Sequence, residues 1–316
     1  MGYCIGAGLQ QATEAIMHDK SLNVLISLHR GYGIGDAVQM SAVLQHVAKH
    51  RPHWRVDYQA EEGYHQVGRG IVANTFACGK PHPSAHYDAE VQIRLFDTWY
   101  GWEDRPNTRV SSCLRECFGL DWDAQCGRYR VDVDRAESEA AEKFVRRGHS
   151  RESVAIHYLG DSAPDEKNLT HAQAAWLCGA VRSLRREPLL LDYRRQSPLD
   201  GVRTTAELGT EWGRDAARQC AVIGRCAAFV GIDSGPAKCA SATGIPSLVV
   251  WTEHHPAPFH DPADNTTHLV PVGYHGLQPV CGDRGVIDWF ERHHTVLHYE
   301  QNPVDMVRYW LRGVLG

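Results

Sequence analysis

Asp233-Ser234-Gly235-Pro236-Ala237-Lys238 stands between an apolar, strand-like run, Ala227-Ala228-Phe229-Val230-Gly231-Ile232, and a string of small residues, Cys239 to Thr243, that reads as a helix. A second apolar run, Gly244 to Trp251, follows at once. The order is strand, loop, helix, strand, the repeating unit of a parallel α/β sheet. A strand that turns into a helix through Asp-Ser-Gly presents backbone N–H groups and the positive end of a helix dipole, a place where a diphosphate can sit. The same residues also suit plain capping, since Asp and Ser cap helices, Gly eases the turn and Pro favours the first helical turn. In sheets of this kind ligands gather outside the carboxyl ends of the strands, which favours the binding reading.

Working upstream, Val154 to Leu159 and Pro188 to Tyr193 read as strands, with helices at Thr170 to Arg185 and Gly213 to Gly224. The first half repeats the alternation. Asn23 to Leu28, Arg55 to Ala60 and Ala89 to Leu95 read as strands, and Tyr64 to Val72 as a helix. A longer helix ends near Arg51, with Val38, Ser41, Ala42, Leu44, Gln45 and Val47 recurring at three- and four-residue intervals. Asp134 to Arg147 reads as a solvated helix leading to a hinge at Gly148-His149-Ser150, whereas 96–126 follows no single pattern. Downstream, Pro303 to Gly313 carries an apolar face that needs a groove. The expectation is two Rossmann-like α/β domains in tandem, 1–150 and 151–316, the second including the final helix.

A chain of 316 residues suits two such domains, each of about 150 residues. The 43% hydrophobic and 22% charged content excludes a disordered chain. No stretch approaches the ~20 apolar residues that span a bilayer, and Met1 to Lys20 lacks the uninterrupted apolar core of a secretory signal. The net charge of −5 gives no global attraction to nucleic acid or anionic lipid. The ten cysteines are scattered, several inside apolar runs, and with no secretory pattern they point to a reducing cytoplasm. Cys113, Cys117 and Cys126 match no paired zinc spacing, so no metal is expected.

After the first strand comes Gly31-Tyr32-Gly33-Ile34-Gly35-Asp36. A dinucleotide fingerprint, Gly-x-Gly-x-x-Gly, would need glycine where Asp36 stands. A carboxylate there repels phosphate, which argues against a nicotinamide or flavin cofactor, and none is expected. Two readings of Asp36 remain: a cap of its helix, or a carboxylate facing the cleft between the domains.

Gly33-Ile34-Gly35-Asp36-Ala37-Val38, Lys167 after the strand at 154–159, and Gly231-Ile232-Asp233-Ser234-Gly235-Pro236, in this order and spacing, resemble the ADP-heptose:lipopolysaccharide heptosyltransferases, a glycosyltransferase family (family 9). The resemblance runs from about Asn23 to His260. It implies the GT-B fold, with the acceptor bound mainly by the first domain and a nucleotide-diphosphate sugar mainly by the second. It implies Asp36 as catalytic base, with Gly33 and Gly35 in the acceptor-side loop. Lys167 then contacts the donor phosphate, and Asp233, Ser234, Gly235, Pro236 and Lys238 form the donor loop. Two departures stand out: Met40-Ser41-Ala42 lies where the family usually has a proline, and Lys238 where it usually has histidine, which leaves the donor's identity open.

The chemistry implied is inverting and independent of metal: a carboxylate takes the acceptor's hydroxyl proton, while lysines and helix N–H groups take up charge on the leaving diphosphate. The acceptor expected is a saccharide such as a lipopolysaccharide core. Lys49, Arg51 and Arg55, interleaved with His46, His50, His53 and Trp54, form a basic aromatic cluster that either ends a wet helix or meets an anionic acceptor, which keeps hydroxymethylated DNA in view. A sugar-nucleotide epimerase and a non-catalytic nucleotide-sugar binding protein are the other classes compatible with tandem Rossmann-like domains.

Overall fold

The computed structural model describes residues 21–80, 86–95, 108–147, 152–161, 164–194, 199–252, 256–273 and 284–316. Met1 to Lys20 and the expected hinge at Gly148-His149-Ser150 lie outside them.

The first half forms a parallel sheet of β1 (Leu22–Leu28), β2 (Trp54–Ala60), β3 (Asn74–Ala77) and β4 (Ala89–Ile93), in the order β3-β2-β1-β4. Central β1 places Val24 opposite both Val56 and Ala89. Its Val24, Leu25 and Ile26 are all buried, the unbroken apolar run of a strand covered on both faces. Helix α1 (Ile34–His50) follows and buries Ala37, Val38, Met40, Ala42, Val43, Leu44 and Val47. The helix expected over Tyr64 to Val72 is only a 3-10 turn, His65–Gly68. Glycine explains the difference: Gly70 adopts φ +67°, and a Cβ on Gly68 would lie 2.8 Å from Thr75, so the segment hugs the sheet instead of coiling on.

Helix α2 (Arg109–Phe118) falls inside the stretch that follows no pattern in sequence, and α3 (Arg135–Arg146) matches the solvated helix. Each begins on a side-chain cap: Thr108 Oγ1 accepts from Ser111 N–H at 3.1 Å, and Asp134 Oδ1 from Glu137 N–H at 3.2 Å.

The second sheet is also parallel: β5 (Ser153–His157), β6 (Glu187–Leu190), β7 (Arg203–Thr204), β8 (Ala228–Ile232), β9 (Ser247–Val250), β10 (Thr266–Pro271) and β11 (Thr295–Tyr299), in the order β11-β10-β9-β8-β5-β6-β7. Its helices are α4 (His171–Ser183), α5 (Ala216–Ile223), α6 (Gly235–Thr243), α7 (Arg284–His293) and α8 (Pro303–Leu315). The groove required by α8 lies against α4, β10 and β11. There Val304, Val307, Trp310 and Leu311 are buried, and Trp310 Nε1 donates to Thr267 Oγ1 at 3.1 Å. Burying each such large apolar side chain is worth about 1.5–3 kcal/mol.

Both sheets reverse their strand order at one point, between β1 and β4 in the first and between β5 and β8 in the second. Loops at the carboxyl ends beside such a reversal have room for a ligand. The halves meet through α1 against α6 and α3 against α5, and one apolar cluster runs through both.

Candidate active site

The loop after β1 holds Gly31 at φ +89°, its N–H donating to Glu61 Oε1 at 3.0 Å, and enters α1 through Gly33. The loop after β8 enters α6 through Ser234 and Gly235, with Pro236 in the first turn and no side chain capping the helix. The two helix N-termini meet. A Cβ on Gly35 would lie 3.3 Å from Gly235 Cα, and one on Gly235 would lie 3.1 Å from Gly35 N and 3.0 Å from Ile34 Cβ. A Cβ at either place would push its neighbours by a few tenths of an ångström, so glycine at both favours this approach. Beside the contact opens a cleft of about 670 Å³, reached by both glycine loops and by the loops after β5 and β6.

Asp36 lines this cleft and also caps its own helix. Its Oδ2 accepts from Gly33 N–H at 3.0 Å, while Oδ1 accepts from Arg109 Nη1 at 3.1 Å. Arg109 reaches it from α2 with a side chain only 7% exposed. Its backbone N–H donates to Pro258 O at 3.0 Å, and its guanidinium lies 4.4 Å from the Phe259 ring centre. Burial pulls the guanidinium below its ordinary pKa, with Asp36 acting in the opposite direction.

The same cleft is lined by a carboxylate between two ammonium groups. Asp233 Oδ1 accepts from Lys238 Nζ at 2.9 Å and Oδ2 from Lys167 Nζ at 3.3 Å. Burial alone would raise the Asp233 pKa, but Lys238 and Lys167 outweigh it and hold the group well below the usual carboxylate range. The trio carries one net positive charge. Lys167 also lies 5.7 Å from the Phe259 ring centre, so this one ring borders the cations of both halves. Ser234 Oγ donates back to Ile232 O at 3.1 Å.

Gly33, Gly35, Asp36, Lys167, Asp233, Ser234, Gly235, Pro236 and Lys238 thus all border one cleft. Arg109, Phe259 and Tyr64 also line the cleft, and Arg194 pairs with Asp161 at 2.9 Å at its edge. None of these four carried a sequence signal of function. Thr108 and Ser111 mark the start of α2, but nothing in the chain says that Arg109 meets Asp36.

The basic cluster around Lys49 lies elsewhere. It sits at the carboxyl end of α1, about 20 Å along the helix from Asp36 at 1.5 Å per residue. Lys49 pairs with Asp123 at 2.6 Å, and Arg51 donates to the carbonyls of His50 and Phe118, each at 3.1 Å. Nor do the three cysteines form one group: Cys113 and Cys117 belong to the apolar core, whereas Cys126 stands beside His50 and Asp123.

No family model and no curated protein matches the sequence. Solved structures do match in shape. The ADP-heptose lipopolysaccharide heptosyltransferase II of E. coli aligns over 93% of this chain and 98% of its own, with 13% identity and a TM-score of 0.64. A glycosyl transferase family 9 protein from Veillonella parvula aligns over 87% and 98%, with 12% identity and a TM-score of 0.61. E. coli heptosyltransferase WaaC with ADP aligns over 86% and 99%, with 14% identity and a TM-score of 0.51. The two-sheet architecture is the GT-B fold of these glycosyltransferases.

Proposed function

We propose that the protein is an inverting, metal-independent glycosyltransferase that moves a sugar from a nucleotide-diphosphate donor to a saccharide hydroxyl. The observation that carries this reading is the placement of Asp36 and the Lys167–Asp233–Lys238 trio around one cleft, at the strand reversals of the two sheets. The shared fold supports it.

With a donor in the cleft, its diphosphate lies at the amino end of α6 beside Lys167. An acceptor hydroxyl from the other side gives its proton to Asp36 as its oxygen bonds the anomeric carbon, and the bond from that carbon to the diphosphate breaks. Attack opposite the leaving group inverts the anomeric centre. Fixed donors meet the charge that develops on the diphosphate: the Lys167 ammonium, and the N–H groups and dipole of α6. Lys238 acts through Asp233, since its ammonium is committed there. Because these cations already supply a positive field, the reading assigns no task to a divalent metal. Arg109 orients Asp36 through Oδ1, leaving the rest of the carboxylate for the hydroxyl. The position of the Lys49 cluster outside the cleft favours a saccharide over DNA. The free thiols of Cys178, Cys220 and Cys226, buried in the second half, suit a reducing cytoplasm.

The test is release of nucleoside diphosphate from ADP-, UDP- and GDP-sugars in excess EDTA, with and without saccharide acceptors. Release that requires an acceptor and survives the chelator is expected. Sugar interconversion without an acceptor would indicate an epimerase, tight binding without turnover a binding protein, and rescue by added magnesium would overturn the account of the leaving group.

A further inference from the structure

We propose that His50, Asp123 and Cys126 form a binding site for a zinc-class divalent cation that fastens the carboxyl end of α1 to the loop after α2. One ligand atom from each, an imidazole nitrogen, a carboxylate oxygen and a thiol sulfur, lie within 4.8 Å of one another. His50 Nε2 and Asp123 Oδ2 are 3.2 Å apart. Tetrahedral zinc, with bonds of about 2.0–2.3 Å, asks for ligand atoms about 3.5 Å apart, so small side-chain rotations close the set. Nitrogen, oxygen and sulfur together are the donors of zinc and its neighbours rather than of calcium or magnesium, and a fourth position stays open to water.

The backbone around these groups is already fixed. Asp123 and Cys126 sit at the two ends of one turn, closed by Cys126 N–H to Asp123 O at 3.0 Å. The turn is pinned to α1 by Asp123 N–H donating to His46 Nε2 at 2.8 Å. His46 must therefore carry its proton on Nδ1, which donates to Ala42 O at 2.7 Å. A cation already marks the place. The Lys49 ammonium lies 2.6 Å from Asp123 Oδ2 and 2.9 Å from Gln125 Oε1, and its hydrogen bond holds the Asp123 carboxyl down to about 2. The Lys49 side chain is 41% exposed, so it can swing into water and yield its place. Because a thiol binds such an ion as its thiolate, metal binding would release the Cys126 proton to solvent. At about 20 Å from Asp36 along α1, this ion would take no part in sugar transfer, and the proposal stands or falls independently of the function assigned to the cleft.

The experiment titrates chelator-stripped full-length protein with Zn²⁺ by calorimetry, and with Co²⁺ by absorbance. One equivalent of Zn²⁺ is expected, together with the near-ultraviolet sulfur-to-cobalt band that reports a thiolate ligand. Cys126→Ser should lose that band. His50→Ala, at an exposed position, should weaken Zn²⁺ binding at least about tenfold while leaving the fold intact by circular dichroism. Lys49→Ala should bind more tightly than the wild type, because the competing ammonium is gone. Failure of both the wild type and Lys49→Ala to bind one equivalent would overturn the site, as would a bound ion that Cys126→Ser and His50→Ala both retain unchanged.

Discussion

Asp36→Asn removes a charge that the structure uses twice, so its effect divides into a loss of stability and a loss of chemistry. At 3.1 Å from Arg109, the gross attraction is about 5 kcal/mol at an effective dielectric constant of 20. Both side chains are mostly shielded, at 7% and 14% exposure. Removing one partner of such a pair leaves a buried charge uncompensated, at about 3 kcal/mol for a site that borders a wet cleft. An asparagine has one acceptor oxygen for two donors, so its amide hydrogens must face either Arg109 or Gly33 N–H. The double variant Asp36→Asn/Arg109→Met removes the orphaned charge as well. Its stability by urea denaturation should return to within about 1 kcal/mol of wild type, following the logic of a double-mutant cycle. Nucleoside diphosphate release should nevertheless stay at least about a hundredfold down, because the base is absent. Recovery of turnover together with stability would refute the assignment of Asp36, as would wild-type turnover in the single variant.

Lys167→Ala is expected to weaken donor binding and slow transfer together, each by about ten- to a hundredfold, as for a charge-assisted hydrogen bond; unchanged calorimetric affinity and turnover would make Lys167 a bystander. Two neighbouring buried groups oppose one another in their pH dependence. Burial, then Lys238, lowers the His260 pKa from 6.5 to about 4, so its contribution is complete above 6.5 and is lost as pH falls toward 4. Burial raises the Asp261 pKa from 3.8 to about 6, so its contribution is complete below 3.8 and is lost as pH rises through 6. Each is worth about 3 kcal/mol. Relative to wild type, His260→Gln should lose stability between pH 4 and 6 and Asp261→Asn should gain it, measured as urea midpoints; slopes of the same sign in both variants would count against this account.

The strands that could be read in advance are β1, β2 and β4 of the first sheet and β5, β6, β8 and β9 in the middle of the second. β1, β5, β8 and β9 lie beneath helices, and burial on both faces demands runs such as Val24-Leu25-Ile26 or Ala228-Phe229-Val230. Strands farther out carry weaker patterns. β7 has two residues, β3 begins with Asn74, and β10 opens on Thr266, Thr267 and His268, whose burial depends on partners such as Trp310 and Trp251 far along the chain. The site divides in the same way. Asp36 and Asp233 stand at glycine-rich turns into α1 and α6 whose local order announces them, whereas Lys167, at the end of the short helical turn Pro164–Lys167, is singled out only by the family resemblance. Arg109 and Phe259 matter only because α2 and the segment after β9 converge on the cleft, and no window of sequence encodes that meeting.

The touching glycines make the distance from the Asp36 turn to the Asp233–Lys238 loop a property of the main chain. Side chains relax around a change, but two backbones in van der Waals contact have no spare travel, and even one methyl group at Gly235 would come within 3.0 Å of Ile34 Cβ. The contact is in effect a gauge block set between the halves of the protein. Since a displacement of about 1 Å at a reacting centre can cost a hundredfold in rate, its tolerance falls on the two residues that have no side chain to adjust.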